Sequence, residues 1–123
     1  MKMKLLPGLI LCLFTSGLFF NQGCISEPDL ENIPVVSFDS IVRPLIAGNC
    51  TQAGCHDGGE EFALFTYEDV KSKVKPGNAR ESDLYKVITG RGEEMMPPSP
   101  SNPLTEDQIR YIFVWIEQGA LNN

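Results

Sequence analysis

One short stretch, "GNCTQAGCH" at residues 48–56, limits the folds open to this chain more than any other. It holds two of the four cysteines and the only histidine among 123 residues. Cys50 and Cys55 are separated by four residues, and His56 follows Cys55 directly. Such a segment can close a small disulfide, supply ligands to a metal ion, or anchor a cofactor, and each outcome ties the surrounding chain to it.

The first 23 residues have the layout of a secretory signal peptide, with a basic start, an apolar middle and a small residue at the cleavage point. Lys2 and Lys4 precede an apolar run from Leu5 to Phe20, and Gly23 stands at the end. A membrane-spanning helix is the alternative, but the run is shorter than the ~20 residues that such a helix needs. The sequence therefore predicts export to a compartment where disulfides can form.

Cys24 is then the first residue of the mature chain, which is typical of bacterial lipoproteins acylated on this thiol. Several buried acyl chains hold a protein firmly on a membrane surface. Simple cleavage that leaves Cys24 free or paired is the alternative. Ile25 and Ser26 are not the Asp expected of an inner-membrane retention signal. We therefore expect a lipid anchor in the outer membrane, with the protein facing the periplasm or the exterior.

The mature chain is strongly acidic. All 16 acidic residues follow Cys24, whereas two of the ten basic residues precede it, which leaves eight basic residues and a net charge of −8. Nucleic acid is not expected as a partner, because its affinity comes from Lys and Arg on phosphates. An acidic surface instead favours a partner with a basic surface. We expect residues 24–36 to form a flexible acidic tether and residues 37–123 to form the folded domain.

Apolar periodicity predicts a first helix over Phe38–Gly48, capped by Ser37 or Asp39. Five apolar residues recur at helical spacing and would form its buried face: Phe38, Ile41, Val42, Leu45 and Ile46. Pro44 falls inside this stretch. Because proline lacks a backbone donor, we expect the helix to start late or to kink there.

Two short helices are expected in the middle of the domain. One covers Tyr67–Val74, where Thr66 and Asp69 have the spacing of a capping box. The other is capped by Ser82 and ends at Gly90. Three apolar residues would share one side of that helix: Leu84, Val87 and Ile88.

The last helix has the clearest pattern. Thr105 and Gln108 form a capping box, and Gly119 ends the helix. Its buried stripe is predicted from four residues: Ile109, Ile112, Phe113 and Ile116. Tyr111 and Trp115 are expected to flank this stripe. Since no segment shows strand alternation, the sequence predicts an all-α domain.

Three interpretations of the cysteine segment can be weighed from its residues. A disulfide between Cys50 and Cys55 would close a tiny loop and restrict the unfolded chain only modestly. A structural zinc ion needs four ligands, and these two thiols with His56 supply three, with no carboxylate clearly arranged as the fourth. Covalent haem usually uses C-x-x-C-H, whereas this chain has C-x-x-x-x-C-H, in which Gly54 would let the extra residues loop outward. The spacing alone leaves the disulfide and the haem open.

A second element bears on this choice, 40 residues beyond the histidine. Met95 and Met96 stand in "EEMMPP", between charged residues and prolines. A thioether suits iron, and His/Met ligation raises the reduction potential of a haem. Filling of the core is the alternative role for methionine. Two methionines among charges and prolines are a poor core element, which favours a ligand.

At this point the chain resembles the small bacterial c-type cytochrome domains common in Bacteroidetes and Planctomycetes. The matching stretches follow the family order and cover nearly all of the mature domain: "SFDSIVRPLIAGNCTQAGCH", "PGNARESDLYKVITG", "MPP" and "LTEDQIRYIFVWIEQGA". Members of that group often carry the longer spacing between the haem cysteines. The resemblance implies a compact, all-α cytochrome c-like fold of about four helices packed around one covalently bound haem c.

The resemblance also assigns roles to individual residues. It implies that Cys50 and Cys55 are the thioether anchors and that His56 is the proximal iron ligand. Met96, which stands directly before a proline, is the implied distal ligand, with Met95 as the runner-up. Three further residues fall where the family lines its haem pocket: Leu84, Tyr85 and Ile88.

The function expected from these features is that of a membrane-anchored monohaem cytochrome that exchanges single electrons with redox proteins. It is not expected to be an enzyme, because two axial ligands leave no iron position for a substrate. Two alternatives stay open at this point. One is a five-coordinate haem sensor or peroxidase-like protein, and the other is a haem-free, disulfide-bonded interaction lipoprotein.

Overall fold

The computed structural model describes residues 29–123, so the predicted signal peptide and Cys24 lie outside this range. Within it the domain is helical and has no β-strand, which confirms the all-α prediction. It has four α-helices, in chain order α1 (Arg43–Cys50), α2 (Tyr67–Lys71), α3 (Asp83–Ile88) and α4 (Glu106–Glu117). A π-helical turn, Phe38–Val42, precedes α1, and a 3₁₀ turn, Ala79–Glu81, precedes α3. No helix of this part of the chain is long and apolar enough to cross a membrane.

The first predicted helix is divided in two at the position of its proline. Ser37 caps the π-helical turn, because its side chain accepts a hydrogen bond from the backbone N–H of Ser40. Pro44 lies in the first turn of α1, where a backbone N–H has no helical partner in any case. The helix continues to Cys50, two residues beyond the predicted end. The backbone stays helical through Val42 and Arg43, so the proline coincides with a change from π-helical to α-helical hydrogen bonding and not with the expected late start.

Helix α2 begins with the predicted capping box. The Thr66 side chain accepts from the backbone N–H of Asp69, and the Asp69 carboxylate accepts from the backbone N–H of Thr66 at 2.8 Å. The helix ends at Lys71, earlier than predicted, and tighter turns carry the chain on to Val74. Both capping bonds are local, which explains why this helix start could be read from the sequence.

Ser82 occupies the predicted N-cap position of α3, but its side chain has another role. Ser82 precedes α3, but its hydroxyl makes no capping bond to that helix. The side chain is fully buried and instead donates to the carbonyl of Asn78 at 2.8 Å, while it accepts from the N–H of Lys75 at 2.8 Å. Ser82 thus organises the loop before α3, because a buried hydroxyl needs partners and the backbone of the loop supplies them.

Helix α4 starts at the predicted capping box of Thr105 and Gln108, but its buried surface differs from the predicted stripe, since Ile109 and Phe113 are only half-buried. Trp115, expected at the edge of the stripe, is fully buried, and Val114 is buried as well. The helix packs against the π-helical turn, the 3₁₀ turn and α3. Because neighbours cover it from several directions, a single apolar stripe underestimates what this helix buries.

The centre of the core is aromatic. The ring of Phe38 lies 5.2 Å from that of Tyr67, edge to face, and 5.5 Å from that of Trp115. The indole N–H of Trp115 donates to the carbonyl of Leu121 at 2.9 Å, which satisfies its only polar group. This cluster joins the π-helical turn and α2 to α4.

The carboxyl-terminal residues close the fold against its beginning. The Asn123 side chain accepts from the N–H of Phe38 at 2.9 Å, and that of Gln118 accepts from the N–H of Val36 at 2.8 Å. The Gln118 amide also donates to the carbonyls of Ile33 and Pro34. Residues 33–36, which the sequence assigns to the tether, thus lie against the end of α4, with Val36 buried.

Candidate functional site

An open, apolar cavity lies where α1 ends and α3 passes beside it. Its volume is about 250 Å³, and the empty space including the mouth is about 930 Å³. The walls come from the end of α1, the loop after it, α3 and the proline-rich loop before α4. Six of the lining residues were singled out by the sequence as site residues: Cys50, Cys55, His56, Leu84, Ile88 and Met96.

The two cysteines differ in their surroundings. Cys50 is the last residue of α1 and is 8% exposed, whereas Cys55 stands in the following loop and is half-buried. Both are free thiols. Burial, together with the nearby charge of a Cys55 thiolate, raises the pKa of the Cys50 thiol to about 11. The protonated form of Cys50 is therefore the one present at neutral pH.

The residues between the two cysteines cap the end of α1. The hydroxyl of Thr51 donates to the carbonyl of Ala47 at 3.0 Å, and the amide of Gln52 donates to the carbonyls of Ala47 and Gly48. These carbonyls have no partner within the helix, so the side chains satisfy them. Gly54 has a φ of +79°, a left-handed conformation that returns the chain towards the helix.

His56 is held by three hydrogen bonds on different sides. Its N–H donates to the carbonyl of Cys50 at 2.9 Å, and its carbonyl accepts from the N–H of Leu64 at 3.2 Å. The ring Nδ1 lies 3.2 Å from the carbonyl oxygen of Phe62. Because a carbonyl only accepts, this contact requires the proton on Nδ1, which leaves the lone pair of a neutral imidazole on Nε2. The arrangement is the one that metal-binding histidines use.

The loop after His56 folds back over the imidazole. The Asp57 carboxylate accepts from the N–H groups of Gly59 and Gly54, and these bonds hold the pKa of Asp57 below its ordinary value. The Phe62 ring then stacks on the His56 ring, with centroids 4.3 Å apart and planes 32° apart. The Lys73 ammonium lies 3.8 Å from the centroid of the Phe62 ring. None of these contacts was expected from the sequence.

The structure distinguishes the two methionines. Met96 is half-buried and lines the cavity together with the prolines that follow it, and its N–H donates to the carbonyl of Val87 at 3.0 Å. Met95 is 47% exposed and is not among the lining residues. The backbone bond to α3 sets this difference, because it fixes which of two adjacent side chains turns inward.

Helix α3 contributes a wall of aliphatic side chains. Leu84, Val87 and Ile88 line the cavity, as their i, i+3, i+4 spacing allows. Tyr85, expected in the pocket by resemblance, does not line it and instead packs against Phe113 with ring centroids 5.4 Å apart. Tyr85 follows Leu84 by one residue, about 100° around the helix, and so belongs to another face.

Several lining residues were missed in the sequence. Leu64 is a buried wall residue, and Glu61, Lys73 and Asp83 add charge to the lining. None of them carries a local signal, because they come from separate segments that only the tertiary fold brings together. Within residues 29–123, no cluster of three or more His, Cys, Asp or Glu side chains is arranged to hold a metal ion.

Comparison of the chain with protein-family models, with curated proteins and with solved structures gave no match.

Proposed function

We propose that this domain binds one haem c covalently and transfers single electrons. In this proposal Cys50 and Cys55 form thioethers with the two vinyl groups, and His56 and Met96 are the axial iron ligands. The observation that carries the proposal is the convergence of these four side chains on one apolar cavity. Met96 is 40 residues from His56 in the chain, so local structure does not account for their meeting.

The donor chemistry of the cavity fits a haem. Both thiols are free, as addition to a vinyl group requires. The Nδ1 contact of His56 with the Phe62 carbonyl leaves the Nε2 lone pair available to an iron atom. A methionine sulfur is a soft ligand of the kind that haem iron accepts opposite histidine. All three kinds of group line the same space.

The shape and polarity of the cavity agree with an apolar, planar ligand. Aliphatic side chains of α3 and Leu64 form the walls, and charged residues add to the lining. A volume of about 250 Å³ is slightly below the ~300–1,000 Å³ usual for ligand sites. The cavity is open, however, and its empty space including the mouth reaches about 930 Å³. A ligand could thus lie between the walls with one edge towards solvent.

When bound, the haem supplies the one-electron redox chemistry. The chain contributes ligands, orientation and the exclusion of water. Ile88 and Leu84 provide a dry wall, and the bond from the Met96 N–H to the Val87 carbonyl ties the distal loop to it. Ligation by both His56 and Met96 leaves no iron position for a substrate, which favours an electron carrier over an enzyme.

The setting of this activity is part of the proposal. The basic and apolar start of the chain and the position of Cys24 support export and lipid anchoring to a bacterial membrane, most simply the outer membrane. The net charge of −8 predicted for the mature chain from its eight basic and 16 acidic residues supports redox partners with basic surfaces.

The decisive experiment is expression of the full chain together with a haem-attachment system. We expect a c-type pyridine haemochrome spectrum and a mass increase of one haem that survives reduction and denaturation. The matched control is the double variant Cys50→Ser/Cys55→Ser, which keeps His56 and Met96 but loses both anchors. A wild-type protein that lacks the c-type spectrum, and whose thiols alkylate fully after reduction, would rule out the proposal and favour a haem-free lipoprotein.

A further inference from the structure

An exposed phenylalanine beside the histidine has no role in the fold described so far. The Phe62 side chain is 47% exposed and lies outside the buried core of the domain. Exposure of an aromatic ring at this level forgoes much of the stabilisation that its burial would bring. Its contacts are specific, however, because one neighbour is the His56 ring and another is the Lys73 ammonium.

Phe62 contacts His56 through two different groups. Its carbonyl lies 3.2 Å from Nδ1, and its ring centroid lies 4.3 Å from that of the imidazole. The carbonyl selects which nitrogen carries the proton. The ring restricts rotation of the imidazole about its bond to the chain, because tilted stacking at this distance leaves little room for a second orientation.

Lys73 is placed to act on the same pair. Three ion pairs occur within residues 29–123, namely Asp39–Arg43, Glu81–Lys86 and Asp107–Arg110, and none involves Lys73. Its ammonium instead lies over the face of Phe62, where the ring quadrupole attracts a cation. Lys73 also lines the cavity, so its charge acts across a partly dry space.

We propose that Phe62 and Lys73 are positioning residues for His56: the Phe62 ring fixes the orientation of the imidazole, and Lys73 holds that ring while placing a positive charge beside the iron site. The inference rests on the proposed function for its redox consequence. A cation near the iron disfavours the ferric state, which carries one more positive charge than the ferrous state. Lys73 therefore raises the reduction potential of the bound haem.

The orientation can be tested without haem, because His56 is the only histidine and its NMR signals are unambiguous. The full chain, produced without a haem-attachment system, is examined by ¹⁵N NMR at a pH where the imidazole is neutral. We expect the Nδ1–H tautomer in the wild type and a mixture of tautomers in Phe62→Leu, because without the stacked ring the imidazole can rotate away from the carbonyl of residue 62. Phe65→Leu is the matched control, since Phe65 is similarly exposed but makes no aromatic contact with His56. Equal spectra for Phe62→Leu and Phe65→Leu would overturn the positioning role.

The effect of Lys73 is tested on the haem-loaded protein by redox titration. We expect Lys73→Met to lower the potential, Lys73→Arg to retain it, and Lys75→Met, which removes a charge two residues away, to shift it less. Phe62→Tyr keeps an aromatic ring and should therefore have the wild-type potential. This variant keeps the test usable if Phe62→Leu does not fold. A potential in Lys73→Met equal to that of Lys75→Met would contradict the inference while the covalent haem itself remained established. Absence of haem in the wild type would instead be a failure of the proposed function.

Discussion

The backbone N–H of His56 donates to the carbonyl oxygen of Cys50 at 2.9 Å, which closes the segment between them into a loop on the end of α1. Because of this bond, Cys50, Cys55 and His56 line one cavity although one of the cysteines is helical and the other is not. Thr51 and Gln52, the first two of the four residues between the cysteines, cap the helix with side-chain hydrogen bonds to the last turn of α1.

The conformation of this loop depends on a glycine. Gly54 has a φ of +79°, whereas Gly48, in α1, has ordinary helical geometry. A Cβ added at either position would meet no neighbour within 4 Å, so the two substitutions differ only in backbone conformation. We expect Gly54→Ala to cost about 1–2 kcal/mol, from the left-handed backbone alone. Gly48→Ala should stabilise the domain by roughly 0.5–1 kcal/mol, since alanine favours a helix. Urea unfolding of both variants measures this difference, and equal midpoints would contradict the loop geometry.

The two adjacent methionines are expected to behave differently. Met96 lines the cavity and Met95 is exposed. In the haem-loaded protein, Met96→Ala should abolish the low-spin spectrum and lower the reduction potential, because the thioether ligand raises it. Met95→Ala should leave both unchanged. Optical and EPR spectra of the pair provide the measurement, and a low-spin spectrum that survives both changes would exclude methionine as the ligand.

In the haem-free chain, the thiol of Cys50 should be slow to alkylate. Its pKa of about 11 leaves only about one thiolate per thousand molecules at pH 8, against roughly a quarter for an ordinary exposed cysteine. We expect Cys50 to react with iodoacetamide about 250-fold more slowly than a model peptide thiol, in proportion to these thiolate fractions, and to accelerate as the pH approaches 11. Peptide mass spectrometry identifies the modified residue.

Two observations complete the test of this thiol. Unfolding in urea should make Cys50 react as fast as an ordinary thiol, because burial is the main cause of its raised pKa. The stability of the domain should also fall as the pH rises from about 9 to about 11, since the unfolded chain loses this proton before the folded one does. Equal alkylation rates in the native and unfolded chain would contradict the buried position.

The capping box of α2 predicts a dependence on acid pH. Hydrogen bonds from Thr66, first from its backbone N–H, lower the pKa of Asp69. Because the pKa of Asp69 is lower in the folded than in the unfolded chain, the ionised carboxylate stabilises the domain at pH values above the unfolded-state pKa. This stabilisation is lost as the pH falls through the folded-state pKa. Asp69→Asn should therefore be less stable than the wild type at pH 7, and the difference should shrink as the pH falls below the ordinary Asp pKa of 3.8. Glu68→Gln removes one charge from the same turn and is the control in thermal unfolding.

Trp115 and Tyr111 were both expected at the edge of the buried stripe, and the structure separates them. Trp115 is fully buried, whereas Tyr111 is 46% exposed. We expect Trp115→Ala to cost about 3–5 kcal/mol, from lost burial and the cavity that it leaves. Tyr111→Ala should cost under about 1 kcal/mol, as is usual for surface positions. Comparable losses in chemical unfolding would show that α4 is less enclosed than described.

Local signals in the sequence were sufficient for the helix starts. Each capping box, Thr66/Asp69 and Thr105/Gln108, involves residues within one turn of each other, so its hydrogen bonds depend on nearby chain alone. Ser82 is the exception, because its hydroxyl could satisfy a helix end or a loop, and burial of the loop selected the second.

By itself the sequence determined an all-α domain and indicated the residues of the proposed haem site, since helical periodicity, caps and the C-x₄-C-H spacing are properties of short segments. Only the tertiary structure decided which of Met95 and Met96 enters the cavity, that Tyr85 lies outside it, and that Phe62 covers His56. These outcomes depend on side-chain direction and on contacts between distant segments. Local periodicity does not predict the hydrogen bond from the Met96 N–H to the Val87 carbonyl. It also does not predict that Lys73 lies over the Phe62 ring.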